Sequence, residues 1–540
     1  MSRPRPLNGL DALFLHLESA RTPMHMGSVA VFEGGPLTDA AGRVRIEKLR
    51  TGVEDRLDLV PNLRRRPRSA LFGEAGPVWV DDGEFDLAAH MRVVRLPAPG
   101  TFDQLAALSA EILAVPLDLG RPLWEMWFVE GLAGARVGLI QKLHHALADG
   151  LGGVELATIL LDAERHPRRP HPAHRSWYPE PVPDALSIGA FDASARVASV
   201  VRGARLVLRR AVHPVPTLRA GWRLADALST LATPAVFAPR SPINAPIGQA
   251  RRVAFVRVSL ASLVGVERAF GVTVNDVVLS AVAGGLRRML LERGEDARGE
   301  LQALVPVGAS HADHALGNRV SAMLGRLPIG VADPVARLQA VGTAMARVKA
   351  HHQDLAAAAL LGELDPLPQS VLGTIAWVVH HQPLVNVVVT NVPGTPFPLY
   401  AHGARMLEVY PIVPLGGNLT VGVAALSYDG QMHIGLYADR DRCPDLQTLA
   451  DGMRQSFAEM IGAAGVDEAP ACTTGMHRTT LAPPRTTRRG PAVRRKGPHR
   501  QAPGQVTEEG PDDERAGVPT GIPADGRACG RQGRVRGRGP

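Results

Sequence analysis

Residues 142–150 read Lys-Leu-His-His-Ala-Leu-Ala-Asp-Gly, and this segment is the starting point for both the fold and the chemistry. Before it, residues 137–143 form a short apolar-rich run that predicts a β-strand. After it, residues 152–161 repeat apolar positions at helical spacing, which predicts a helix. The paired histidines therefore lie in a strand-to-helix turn, in which Asp149 and Gly150 supply the turn chemistry.

The two histidines of this turn are expected to have different roles. Because successive side chains of an extended chain point to opposite sides, one ring projects into a site while the other packs behind it. Histidine takes up and releases a proton near neutral pH, so a histidine pair near a carboxylate is a candidate general base. Asp149 is expected to hold the loop together by bonding backbone donors or a neighbouring arginine.

Two other interpretations of the turn compete with catalysis. A buried histidine is more often a hydrogen-bonded core residue than a catalyst, and spacing alone does not decide between the two. His145 and Asp149 are also four residues apart, as a metal-binding pair on a helix would be. The glycine-rich surroundings are not helical, and no nearby Cys or Glu completes a ligand set, so we predict no metal site.

The length and composition of the chain indicate its general class. A chain of 540 residues exceeds one ordinary core, so two domains are expected. The sequence has no run of 18 apolar residues, so we expect no membrane-spanning helix. Its N-terminus lacks the basic-then-apolar pattern of a signal peptide, and we therefore expect a cytoplasmic location. Three widely spaced cysteines argue against a disulfide framework or a zinc site.

The net charge of +8 does not indicate a nucleic-acid-binding protein, because most of it lies in the C-terminal tail. Residues 466–540 contain 14 Lys and Arg against 8 Asp and Glu, so the tail alone carries +6. The rest of the chain is nearly neutral and lacks the excess of positive charge that nucleic-acid binding requires. The tail is rich in Arg, Gly, Pro and Thr without apolar periodicity, which predicts disorder.

Strand-like and helix-like segments alternate in two parts of the chain, which indicates an α/β fold with two sandwich domains and mixed sheets. The predicted parts are an N-terminal domain with a proline-rich linker (1–183), a helical connector and crossover (184–250), a C-terminal domain (251–465) and the tail (466–540). Helices over about 184–232 carry arginines on one side. A solvated helix face is the favoured interpretation, and a basic surface resting on anionic lipid is the alternative.

The second domain has its own strand and helix signals. Residues 253–258 alternate and residues 385–390 are almost fully apolar, so both predict strands. Residues 392–395, Val-Pro-Gly-Thr, predict a type II turn. A helix is predicted over 275–293, and its opening pair, Asn275 and Asp276, has a simple interpretation as a cap with an acidic first turn.

Taken together, the motifs resemble those of the bacterial wax ester synthase/acyl-CoA:diacylglycerol acyltransferase family, within the chloramphenicol acetyltransferase-like superfamily. The resemblance covers residues 7–463, and the ordered set is far more specific than the histidine turn alone. Its motifs are residues 9–15, Glu18, 22–27, 116–118, 121–125, 144–150, Asn244, 246–248, 251–252, 275–276, 317–319 and 390–394. Gly9 stands where the family often has proline, and the polar stretch 310–314 and the tail have no family counterpart known to us.

The resemblance implies two chloramphenicol acetyltransferase-like domains joined by a helical connector, with a tunnel between them that is open to a different substrate at each end. It also implies transfer of a fatty acyl group from acyl-CoA to the hydroxyl of diacylglycerol, and also to long-chain alcohols as wax esters. Acyl-CoA is then a co-substrate, and no cofactor is expected. Peripheral contact with the inner membrane or with lipid bodies is a further expectation.

Site roles follow from the resemblance residue by residue. His145 is the expected general base, while His144, Asp149 and Gly150 support the loop, with Asp149 more structural than orienting. Substrate-binding roles are expected for Trp124, as an apolar tunnel wall, and for Asn275, Asp276, Thr390 and Asn391. Thr390 and Asn391 are candidates for polarising the carbonyl, although the sequence does not identify the oxyanion donors.

Two other functions remain open at this point. The same base serves an acyltransferase that takes its acyl chain from a carrier protein, as condensation-type relatives do. A catalytically inactive lipid-binding module is the non-enzymatic alternative, against which the intact set of two histidines, aspartate and glycine argues.

Overall fold

The computed structural model describes residues 5–69, 76–148, 153–167, 177–184, 237–308, 320–350 and 369–466, with four single positions between 187 and 194. Fifteen strands lie in these residues: β1 Arg5–Pro6, β2 His25–Glu33, β3 Arg65–Arg68, β4 Val78–Asp81, β5 Met91–Arg95, β6 Trp124–Leu132, β7 Arg136–His144, β8 Arg251–Ser259, β9 Leu301–Gly308, β10 Val320–Leu327, β11 Val387–Pro393, β12 Tyr400–Ala401, β13 Ala404–Ile412, β14 Val421–Tyr428 and β15 Gln431–Asp439. Ten α-helices accompany them: α1 Gly9–Leu17, α2 Ile46–Glu54, α3 Leu87–His90, α4 Phe102–Ala114, α5 Gly153–Leu160, α6 Leu260–Phe270, α7 Val274–Glu292, α8 Pro334–Ala350, α9 Gln369–His380 and α10 Leu446–Ala463.

The first of two six-stranded sheets has the order β12-β13-β2-β7-β6-β5. Its strands pair antiparallel except β5 with β6, so the sheet is mixed, as predicted. The central pair is β2 with β7, in a register that sets His25 opposite His144. Strands β12 and β13 come from the second half of the sequence, so the first sheet is completed by residues more than 350 positions after β2. The domain boundaries given above stay a prediction.

The second sheet has the order β10-β9-β11-β14-β15-β8, and it is also mixed because β11 runs parallel to both β9 and β14. Helices α7 and α10 pack together in its core. Helix α7 is buried almost throughout its length, from Asp276 to Leu286 without interruption. Close approach of the two helices depends on glycine: a Cβ on Gly285 would lie 2.7 Å from the Leu449 carbonyl oxygen.

Helix α4 joins the two halves. One buried cluster combines its residues Leu105 and Leu113 with Val29 of β2, Ile140 of β7 and Tyr437 of β15. Val253 and Phe255 of β8 pack against the same cluster. The hydrophobic core is therefore continuous between the first sheet and the β8–β15 edge of the second.

Several sequence predictions are confirmed. The strand expected at 137–143 is β7, the helix expected at 152–161 includes α5, and the helix expected at 275–293 is α7. The strand expected at 253–258 lies within β8. The arginine-bearing helices expected over about 184–232, the polar stretch 310–314 and the tail fall almost wholly outside the described residues.

The type II turn predicted at residues 392–395 is wrong. Strand β11 continues through Pro393, which is aligned with Ser427 of the parallel strand β14. Gly394 does not have the positive φ that the third residue of such a turn requires. A parallel partner next to the Pro-Gly pair keeps the chain extended where local sequence favours a bend.

No single helix in the described residues is long and apolar enough to cross a membrane. One bent pair, α6 with α7, passes that test of length and composition, with an angle of 99° between its members. Since α7 is buried in the core of the second sheet, packing within the protein explains its apolar composition.

The close contact of α7 with α10 predicts that alanine substitutions at two glycines will have different effects on the stability of the protein. We expect Gly285→Ala to lower the free energy of unfolding by about 1–3 kcal/mol, because the new methyl group overpacks the helix contact. Gly462→Ala is the matched control in α10, where a Cβ meets nothing within 4 Å. It should be neutral or stabilising by up to about 1 kcal/mol. Thermal unfolding followed by circular dichroism measures both, and equal midpoints would contradict the packing argument.

Candidate active site

The histidine turn begins where β7 ends. His144 is the last residue of β7, and a 3₁₀ turn follows over His145–Ala148. Two backbone hydrogen bonds fix the turn from both sides: the His144 amide donates to the Leu123 carbonyl (3.0 Å), and the His145 amide donates to the Met24 carbonyl (3.0 Å). The two histidines therefore have defined backbone positions before any side-chain contact is considered.

The His144 ring is fully buried and fully hydrogen-bonded. Its Nε2 lies 2.5 Å from Oε2 of Glu18, and its Nδ1 accepts the Ala146 amide at 3.0 Å. Because Nδ1 is an acceptor, Nε2 carries the proton and donates it to the carboxylate. Both ring nitrogens are therefore engaged within the protein, and neither is left to act on a substrate.

The His145 ring has a different environment. It stacks on Phe14 of α1 with 4.4 Å between ring centroids, and it stays partly accessible to solvent. Burial of the ring lowers the pKa of His145 to about 3, and the positive form of His144 would add to this. No described residue makes a hydrogen bond to its ring nitrogens. His145 is therefore neutral at physiological pH, with a nitrogen lone pair available.

Other buried ionisable groups lie behind the turn. Lys142 is paired with Glu125 of β6 at 3.1 Å, although desolvation still lowers the pKa of its ammonium. The ring of His25 makes a hydrogen bond to the Leu113 carbonyl at 3.0 Å. Burial first, and then Lys142, hold the pKa of His25 well below its usual range. These groups are positioned by strand pairing and belong to the interior.

Trp124 lies beside the turn as a packed residue. It begins β6, is aligned with Leu143 of β7, and donates its indole N–H to the Leu63 carbonyl at 2.8 Å. Its ring also stacks on His90 at 4.6 Å. Trp124 is therefore packed next to the strand that leads into the histidine turn, and its indole N–H already has a partner.

The sequence candidates from the second half are brought together in part. Asn391 of β11 donates to the side chain of Asn275 at the start of α7, over 3.4 Å. Thr390 precedes Asn391 on the same strand. Strand β11 and helix α7 thus bring Asn391 and Asn275 into contact, whereas Thr390, as the neighbour of Asn391 on the strand, points to the opposite face.

Asp276 has a structural role that is visible in the geometry. The N-cap of α7 is Thr273, and Asp276 accepts from both the Thr273 amide (2.9 Å) and its hydroxyl (2.8 Å). The Asp276 amide donates back to Thr273, which completes a capping box. The expected acidic first turn is confirmed by Asp276, but the cap expected at Asn275 is wrong, because the helix begins one residue before Asn275 and Thr273 is the N-cap.

The remaining members of the loop, Asp149 and Gly150, lie outside the described residues. Three residues that do form the site, Phe14, Glu18 and Met24, received no role from the sequence. Glu18 was the most recognisable of them, as a carboxylate close to an apolar helix. Its partner, 126 positions away, is visible only once β2 pairs with β7.

Comparison with known proteins shows the family of the chain. The model of the wax ester synthase/diacylglycerol acyltransferase catalytic domain matches residues 7–278, and the model of the WS/DGAT C-terminal domain matches residues 316–461. The chain belongs to this family. The match contains both the histidine turn and the 18–24 region that contacts it.

Two members of the family are similar over most of their length. A protein of Mycobacterium tuberculosis named a probable diacylglycerol O-acyltransferase is 34% identical over 466 residues, covering 84% of this chain and 95% of the relative. The solved structure of the wax ester synthase/diacylglycerol acyltransferase from Marinobacter aquaeolei is 27% identical, with a TM-score of 0.61, covering 85% of this chain and all of that one.

A more distant structure shares the fold alone. The first condensation domain of the calcium-dependent antibiotic synthetase has a TM-score of 0.50 at 17% identity, covering 87% of this chain and 98% of that domain. The expected two-part α/β fold with mixed sheets is thus confirmed.

The lowered pKa of His145 predicts the pH dependence of turnover. Since the folded protein holds this ring neutral down to about pH 3, kcat should show no inflection near 6.5, the ordinary histidine pKa. We expect a flat kcat between about pH 5.5 and 7.5 at saturating substrate. An acid limb centred near 6.5, measured by product formation in buffers of constant ionic strength, would contradict this.

Proposed function

We propose that this protein transfers a long-chain fatty acyl group from acyl-CoA to the free hydroxyl of diacylglycerol, forming triacylglycerol. Family membership, the name of the mycobacterial relative and the presence of the two histidines, aspartate and glycine in the sequence support this assignment. Long-chain alcohols are the second acceptor class, as the family name indicates. No separate cofactor is required, because the thioester itself supplies the activated acyl group.

His145 is proposed as the general base. The observation that carries this proposal is the contrast between the two rings: both nitrogens of His144 are engaged by Glu18 and Ala146, whereas no described residue bonds the ring nitrogens of His145. A neutral imidazole accepts a proton, and the lowered pKa of His145 keeps it neutral.

The proposed reaction needs no covalent acyl-enzyme. His145 removes the hydroxyl proton as the acceptor oxygen attacks the thioester carbonyl carbon, and the new C–O bond forms. Collapse of the tetrahedral intermediate breaks the C–S bond. The thiolate of CoA then takes the proton from the imidazolium, which returns His145 to its neutral state.

Supporting roles are proposed for the other residues. Trp124 forms an apolar wall beside the turn, consistent with its buried packing. Asn275 and Asn391 supply polar groups from the second sheet for the thioester carbonyl. Asp276 acts through the capping box that fixes the start of α7, and so holds Asn275 in place. Asp149 and Gly150 are proposed to complete the loop.

A product assay tests the reaction and the base together. Labelled palmitoyl-CoA is supplied with diacylglycerol or hexadecanol, and the lipid products are separated. We expect triacylglycerol from the wild type and a loss of about 10²–10⁴-fold in kcat for His145→Ala, because general-base catalysis is removed. The His166→Ala variant, at an exposed histidine, is the matched control and should keep full activity.

Each outcome of this assay has a distinct meaning. Near-normal turnover by a folded His145→Ala variant would refute the base assignment while leaving the reaction intact. Absence of ester from either acceptor with the wild type would refute the reaction. Ester formed only when the acyl chain is presented on a carrier protein would establish the condensation-type alternative.

We further propose that the enzyme contacts a lipid surface peripherally through α9. This helix contains no Asp, Glu, Lys or Arg, and its exposed residues include Val371, Trp377 and Val378. Diacylglycerol is itself insoluble in water and has to be taken from a lipid phase. Helix α9 packs on α1, whose Phe14 stacks on His145, so the uncharged face lies on an element next to the site.

Vesicle binding tests this contact. The double variant Trp377→Ser/Val378→Ser should weaken binding to phosphatidylcholine vesicles containing diacylglycerol by about tenfold or more, because buried apolar area is lost. Leu59→Ser/Val115→Ser is the matched control, since these side chains are exposed to 57% and 58% against 64% and 54%. Equal loss in both double variants, measured by flotation, would contradict a specific role for α9.

A further inference from the structure

Segment 18–24, between α1 and β2, contacts the histidine turn at two points, the ring of His144 and the backbone amide of His145. Its first residue, Glu18, accepts from His144, and its last, Met24, accepts from the His145 amide. Between them, Ser19 and Thr22 close a tight turn through two reciprocal backbone hydrogen bonds of 3.1 and 3.2 Å. The hydroxyl of Thr22 bonds the Leu17 carbonyl at 3.0 Å and ties the turn to α1.

The tip of this segment is held by a residue from the second half of the chain. Arg251, the first residue of β8, donates through Nη2 to the Arg21 carbonyl. Its Nη1 donates to the carbonyls of Gly248 (2.8 Å) and Ala250 (3.2 Å). The guanidinium side chain is 1% exposed, so these contacts are made away from water.

Arg251 is itself fixed by the second sheet. Its guanidinium lies 3.8 Å from Asp439 of β15 and over the ring of Tyr437. The Asp439 carboxylate accepts three further backbone amides, from Gly248, Asp441 and Arg442. These contacts fix the orientation of the Arg251 guanidinium, so its N–H group that faces the Arg21 carbonyl is preorganised.

A second set of contacts runs parallel to the first. The Tyr437 hydroxyl donates to the Leu113 carbonyl at 2.8 Å, and the His25 ring bonds the same carbonyl. From α9, His380 lies 3.2 Å from the Thr22 hydroxyl. Among the described residues, the second half therefore contacts segment 18–24 directly at Arg21 and Thr22, and it shares the Leu113 carbonyl with His25. The contact at Arg21 is made by a permanently charged side chain, that of Arg251.

We propose that Arg251 is a positioning residue for acyl transfer, which holds segment 18–24 so that Glu18 and Met24 keep the histidine turn in its reactive geometry. Arg251 acts through Arg21, Glu18 and His144 and touches none of the reacting groups. The inference rests on the proposed reaction for its readout. It gives the second sheet a role in aligning a base that the first sheet carries.

The test is a double-mutant cycle on kcat. Arg251→Lys keeps the charge but loses the branched donor set, and it should lower kcat by about tenfold or more with KM for acyl-CoA within about twofold, because misalignment of the base affects the reacting step. Glu18→Gln should lower kcat as well. If the two act along one path, the double variant should be little slower than the slower single variant.

The control separates positioning from general stability. Arg337 is equally buried and also donates to backbone carbonyls, of Ser280, Val331 and Ala332, entirely within the second half. Arg337→Lys should lower the unfolding temperature by a similar amount while kcat of the folded fraction stays at the wild-type value. Arg251→Lys with the same behaviour, or kcat losses that multiply with those of Glu18→Gln, would overturn the proposal.

Failure of the base assignment would look different. If a folded His145→Ala variant turned over normally, the role of His145 would be lost, yet the coupling of Arg251 to Glu18 would still be read in kcat. If the wild type formed no ester, the proposed reaction would fail. In that case the geometry of the Glu18–His144 hydrogen bond can be followed by the NMR chemical shift of the His144 Nε2 proton. Arg251→Lys should change this chemical shift, and Arg337→Lys should leave it unchanged.

Discussion

The antiparallel pairing of β2 with β7 is the constraint on which the site depends. In an antiparallel pair the start of one strand lies beside the end of the other, so the segment before β2 meets the turn after β7. The register that sets His25 opposite His144 places Glu18 and Met24 against the two histidines. A slip by one residue would turn His144 to the other face and bring His145 into its place, so the different environments of the two rings are a property of the register.

Electrostatics within the turn follow from burial. A neutral His144 that donates to Glu18 gives a buried carboxylate a hydrogen bond without introducing a second buried charge. A doubly protonated His144 would also raise the cost of protonating His145, because the two rings are neighbours. The pKa of His145 is therefore lowered first by desolvation and then by the neighbouring His144, while His144 itself is held by Glu18 and Ala146. The same burial lowers the pKa of His25 on the adjacent strand.

The local secondary structure around the site could be predicted from the sequence, whereas the contacts between residues far apart in the chain could not. Strand β7, the turn and helix α5 could be predicted because hydrophobic periodicity is a local signal, and alternation along the strand correctly assigned different environments to His144 and His145. The pairing of Glu18 with His144 and of Arg251 with Arg21 spans 126 and 230 positions, and no local pattern encodes it. The turn at 392–395 failed for the same reason, since the parallel partner β14 overrides the preference of the Pro-Gly pair.

The two halves of the chain are less separate than the pattern of alternating elements indicates. Strand β13 belongs to the second half by sequence, yet it pairs with β2 and supplies the other neighbour of the strand that sets the register. An unpaired β2 would be the edge of its sheet, where register is weakly specified and strands slip. With β7 on one side and β13 on the other, β2 has its hydrogen bonds fixed along both edges. The geometry of the histidine turn thus depends on β2, which is held in place by β13 from the second half of the chain. The contact of Arg251 with Arg21 holds segment 18–24, which leads directly into β2.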